Sequence, residues 1–102
     1  MFFTFRQNNS GGFYKGPVYV CVEASSAVEA NKRAKDTGIV YFNGVRSRKD
    51  CECCGNRWYE VFEENGTVAP SEYGEPLATV AGDDHYMIVF ADGRVEEKGG
   101  RV

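Results

Sequence analysis

Residues 25–38 carry the clearest helix signature in the chain, and β patterns stand on both sides of it. Ser26 with Glu29 reads as a capping box, Ala27, Ala30 and Ala34 recur at helical spacing, and Gly38 falls where a helix places the residue after its C-cap. An alanine stripe has no long side chains to hold a neighbour away, so the helix backbone can lie close against a sheet. Glu29 and Arg33, an i,i+4 pair, belong on the solvated side. A short helix with one small apolar stripe cannot make a core by itself; it must cover the face of a sheet.

The sheet is legible in pieces. Phe3 and Phe5 alternate with Thr4 and Arg6, the period of a strand with one buried face. Turn formers from Gln7 to Gly12 end that run, and Val18 to Val22 resumes the β pattern as a neighbouring strand. After the helix, Val40-Tyr41-Phe42 is a brief apolar run closed by Asn43-Gly44, and Trp58 to Phe62 reads as a strand ended by the turn Glu64-Asn65-Gly66. Pro70 and Pro76 flank Tyr73-Gly74 in an irregular crossing segment, since either proline would interrupt a central strand. His85 to Phe90 and Arg94 to Glu96 flank Asp92-Gly93, a hairpin signal. A chain of 102 residues, 42% hydrophobic, fills one core. The reading is an α+β fold with residues 1–102 as a single domain, one helix packed on an antiparallel sheet of about five or six strands.

Charge and composition remove several function classes. A net charge of −3 argues against coating a nucleic-acid backbone by bulk electrostatics. Locally, Arg46, Arg48, Lys49 and Arg57 bracket the cysteine-rich block and leave room for an anion there. No stretch approaches the roughly 20 apolar residues of a membrane helix, and the N-terminus lacks the apolar core and cleavage site of a signal peptide. The expectation is a cytoplasmic protein with reduced thiols and no membrane partner. Enzyme fingerprints are missing: there is no glycine-rich loop between a strand and a helix, no His-Glu-x-x-His, and no general base with a credible partner. No catalytic residue is assigned, and the protein is expected not to be an enzyme.

Two groups of residues are candidates for binding. In Asp50-Cys51-Glu52-Cys53-Cys54-Gly55-Asn56-Arg57-Trp58, Cys51 and Cys54 have the spacing that lets two thiolates reach one tetrahedral ion, which makes zinc the candidate cofactor, with Cys53, His85 or a second subunit to complete it. The plain alternative is small residues packing a tight turn. A thioredoxin-like role fits less well, because the motif does not open a helix after a strand. Cys21 reads as core. The second group is Arg6, Gln7, Asn8, Asn9 and Ser10, consecutive hydrogen-bonding side chains followed by Gly11-Gly12 and then by Phe13 and Tyr14. A polar hairpin connection would use the same residue types. Amide donors beside aromatic faces also suit a phosphate or a nucleobase, and Arg57-Trp58 adds a second cation beside a second aromatic. The expectation is that one pocket collects both groups.

The opening Met1-Phe2-Phe3-Thr4-Phe5-Arg6-Gln7-Asn8-Asn9-Ser10-Gly11-Gly12, the Val22-Glu23-Ala24-Ser25 to Glu29-Ala30-Asn31-Lys32-Arg33-Ala34 segment and the cysteine block ending at Trp58 together resemble small hypothetical proteins of tailed bacteriophages. The resemblance carries no catalytic residue. It implies expression inside an infected bacterium and the work of a small accessory protein. Two function classes follow. One is a non-catalytic binder, a homo-oligomer, that sequesters a small anionic, nucleotide-like defence signal of the host. The other is a zinc-stabilised interaction module that inhibits a host protein or contacts nucleic acid.

Overall fold

The structure, a computed structural model, describes residues 1–8, 16–50, 52–53 and 55–99. Six strands and two helices are present among them: β1 (Phe2–Arg6), β2 (Tyr19–Glu23), α1 (Ala27–Asp36), β3 (Ser71–Glu72), β4 (Glu75–Pro76), α2 (Leu77–Ala81), β5 (Tyr86–Val89) and β6 (Val95–Lys98). The main sheet has the order β1-β2-β5-β6, and β3 with β4 forms a separate two-stranded sheet. β1 pairs antiparallel with β2, β2 runs parallel to β5, and β5 pairs antiparallel with β6.

Alternation divides the side chains of this sheet between two cores. Phe3 and Phe5 of β1, Val20 and Val22 of β2, and Met87 of β5 pack on one face with the alanine stripe of α1, Val40, Trp58 and Val61. Tyr19, Cys21, Tyr86 and Ile88 point to the opposite face, where Leu77 and Ala81 of α2 cover them. Only a strand with both faces covered is buried at nearly every position, and β2 is buried from Tyr19 to Val22.

α1 has the ends its sequence predicts. Ser26 Oγ accepts from the Glu29 N–H at 3.2 Å, and Gly38, at φ +77°, follows the C-cap Thr37 and donates its N–H to the Lys35 carbonyl at 3.0 Å. The capping box is only half made, because the Glu29 carboxylate accepts from Ser25 Oγ at 2.8 Å and faces Arg33 at 3.5 Å. Glu63, from a distant single 3-10 turn, accepts the Ala27 N–H at 2.6 Å and puts a carboxylate at the helix N-terminus.

Three expectations need correction. The sheet is mixed, not antiparallel: two antiparallel pairs are joined at β2 and β5 by a crossover that contains α1, and such a crossover brings its strands in parallel. Trp58 to Phe62 lies in no strand. Trp58 and Val61 turn into the core, and both backbone groups of Val61 bond to the Asn31 side chain of α1, at 2.9 Å from the N–H and 3.1 Å to the carbonyl. The segment around Tyr73-Gly74 is regular, a hairpin with Tyr73 at φ +55° and Gly74 at φ +78°, and Pro76 stands on a short strand where the donor it lacks costs least. The hairpin expected at Asp92-Gly93 forms between β5 and β6, with Gly93 at φ +91°.

Candidate functional site

The end of β1 meets the segment after the cysteine block. The Asn8 N–H donates to the Arg57 carbonyl at 2.7 Å, Asn8 Nδ2 donates to the Asn56 carbonyl at 3.2 Å, and Arg57 Nη1 donates to Gln7 Oε1 at 2.9 Å. The two regions singled out in the sequence are therefore neighbours. They meet below the surface, however, for Gln7 is 9% exposed, Arg57 7% and Trp58 0%.

A buried polar cluster explains why an arginine can lie there. Asp50 lies across Gly44 and accepts from the Tyr41 hydroxyl at 2.6 Å and from the Arg57 backbone N–H at 2.8 Å, with the Arg57 guanidinium Nε 3.9 Å away. A buried charge needs such a counter-charge and filled hydrogen bonds. Burial, and then the hydrogen bond to Asp50, push the Tyr41 phenol above its ordinary value, while Arg57 pulls it back. Chemically the cluster is a tie that links Tyr41, Asp50 and Arg57 to Gln7 at the end of β1. Trp58 presents no face to a ligand in this conformation.

Next to the tie lies a polar pocket of about 330 Å³ lined by Arg6, Gln7, Asn8, Val18 and Asp84. Exposed Arg6 supplies the cation and exposed Asp84 an acceptor. Three of the expected ligand-binding residues thus share one pocket, whereas Arg57 stands behind Gln7 and Trp58 belongs to the core. Asn9 and Ser10 lie outside the described residues, as do Cys51 and Cys54.

Among the described residues, no group of three His, Cys, Asp or Glu side chains is placed to hold a metal. His85, considered as a fourth ligand, has Nε2 3.7 Å from Glu97 of β6. Cys53 is exposed, and Cys21 is buried in the second core, where desolvation pushes its thiol up to about 11 against the opposing effect of the Thr4 hydroxyl. A thiol held neutral in this way is no nucleophile.

A second concavity, about 320 Å³, runs along the outer edge of β1 and went unseen in the sequence; it is lined in part by Thr4, Arg6, Tyr59, Glu60, Glu72 and Tyr73. The available signal was Tyr73-Gly74, a turn pair that holds an exposed aromatic in a backbone conformation L residues seldom adopt. Among the described residues no helix is long and apolar enough to cross a membrane.

The chain belongs to the family described as Domain of unknown function (DUF7296), which it matches over residues 1–101. No curated protein and no solved structure matches it.

Proposed function

We propose that this member of the DUF7296 family acts by binding and not by catalysis, capturing a small nucleotide-like anion in the pocket formed by Arg6, Gln7, Asn8, Val18 and Asp84. The observation that carries this reading is that Arg6 and Asp84 line one pocket together with Gln7 and Asn8. Arg6 suits a phosphate, Asp84 suits a hydroxyl or exocyclic amine, and Asn8 can read a base edge. A ligand that carries an anionic group and hydrogen-bond donors on one small frame is what a nucleotide is. The pocket, at about 330 Å³, falls at the low end of the range for small-molecule sites and fits a mononucleotide better than a dinucleotide. The resemblance of the N-terminal segment, the helix segment and the cysteine block together to small phage proteins supports a signalling nucleotide of an infected host as the ligand, sequestered in its cytoplasm.

The test is calorimetric titration of wild type, Arg6→Ala, Asp84→Ala and the exposed helix variant Lys32→Ala against cyclic and linear nucleotides at two salt concentrations. Arg6→Ala is expected to lose about 1.5–3 kcal/mol of binding, the usual worth of a hydrogen bond to a charged group, and Lys32→Ala almost none. No binding across the panel, or equal losses at all positions, rejects the reading.

A further inference from the structure

Among the described residues, the outer edge of β1 is closed at both ends and open between them. Successive residues of an edge strand direct their N–H and C=O groups alternately toward the sheet and away from it. Phe3, Phe5 and Gln7 point inward: Gln7 donates to the Val18 carbonyl at 2.8 Å, in the β1–β2 register. Phe2, Thr4, Arg6 and Asn8 point outward. Phe2 exchanges both bonds with Thr67, at 2.7 and 2.8 Å, and Asn8 bonds to Arg57. Among the described residues nothing pairs with the outward backbone groups of Thr4 and Arg6.

The cause is the segment that the sequence predicts as a strand. Residues 57–67 run antiparallel to β1, touching it at Arg57 and again at Thr67. Between these points Val61 is drawn to Asn31 on α1, and Trp58 and Val61 are buried in the first core, so the segment bows away. What remains is the groove of about 320 Å³ beside Thr4 and Arg6. From Phe2 to Asn8 the strand spans about 20 Å, enough for a short extended segment to add in the middle.

We propose that this groove receives an extended, basic peptide, which adds as a strand to the open edge of β1 at Thr4 and Arg6. The N–H and C=O groups of those residues fix the backbone. The charge balance selects its side chains, since Glu60 and Glu72 outnumber Arg6 in the lining. Tyr59 and Tyr73, 56% and 69% exposed, stand over the opening, where each offers a face to an aliphatic stem or a cation. Tyr73 is held there at φ +55°, a conformation that costs backbone energy for an aromatic residue. The proposal does not rest on the nucleotide reading, and its readout lies on the backbone of β1.

The test uses a fluorescently labelled short peptide of alternating lysine and valine with blocked termini, its glutamate–valine counterpart, and two copies N-methylated at every second amide in either register. Anisotropy is expected to show saturable binding of the basic peptide. One N-methylated register should lose about tenfold or more in affinity. The double variant Glu60→Gln with Glu72→Gln should weaken the basic peptide about threefold to tenfold. At saturation, hydrogen exchange at the Thr4 and Arg6 amides should slow, with Phe3 and Phe5, already paired to β2, unchanged. No binding of the basic peptide, equal binding of the acidic one, or saturation without slowed exchange at Thr4 and Arg6 overturns the proposal.

Discussion

Replacing Asp50 with alanine tests the buried tie most directly. The Asp50 side chain is fully buried and the Arg57 side chain 9% exposed, so truncation removes a counter-charge from beside a guanidinium that water hardly reaches. The same change deletes the acceptor of the Tyr41 hydroxyl and of the Arg57 backbone N–H. Breaking a buried pair from one side costs about 3–5 kcal/mol. For a chain of 102 residues the whole stability is on the order of 5–15 kcal/mol, so the variant should unfold far more readily. Asp50→Asn keeps the shape and one acceptor, and should cost less, about 1.5–3 kcal/mol. The assay is urea unfolding followed by the fluorescence of Trp58, the single tryptophan, which is fully buried and adjoins Arg57 in sequence. A double-mutant cycle with Arg57→Met isolates the pairwise coupling, expected to exceed about 1 kcal/mol. A loss below about 1 kcal/mol for Asp50→Ala at unchanged denaturant slope would refute the reasoning, since a screened surface contact is worth no more.

Three further outcomes follow from the same geometry. Asn31→Ala removes both bonds to the Val61 backbone and should cost about 1–3 kcal/mol, with faster hydrogen exchange at the Val61 amide as the specific readout. Gly44→Ala places a methyl group against the Asp50 carboxylate and the Tyr41 ring and should lose about 1–3 kcal/mol in thermal or urea unfolding, overlapping with the effect of Asp50→Ala when the two are combined. Cys21 has its folded-state pKa raised to about 11 from an ordinary 9.0, so its contribution is complete below pH 9 and is lost as the pH rises toward 11. That loss amounts to about 2–3 kcal/mol. Tyr41, also raised, titrates in the alkaline range too, so the measured quantity is the difference in unfolding free energy between wild type and Cys21→Val across that window.

Local chemistry determined much of this protein from its sequence. The ends of α1 depend on Ser26, Thr37 and Gly38, all within one turn of the groups they satisfy, and the β5–β6 hairpin depends on Gly93 in a turn only a few residues long. The buried faces of β1 and β2 follow from alternation, which needs no knowledge of a partner. Polar residues gathered at Arg6, Gln7 and Asn8 were likewise readable, and they do share a pocket. Tertiary structure decided the rest. Arg57 reads as a surface cation because a charge is seldom buried unless paired. Its partners, Asp50 and Gln7, lie 7 and 50 positions away, and no local pattern marks them as neighbours. Trp58 to Phe62 has the composition of a strand, yet the Asn31 amide 30 positions earlier takes the Val61 backbone groups that a strand would have offered to β1. The open edge at Thr4 and Arg6 is the consequence. A periodic pattern states which face of a segment is buried, but which neighbour satisfies its backbone is a competition between distant parts of the chain, settled only when the core is packed.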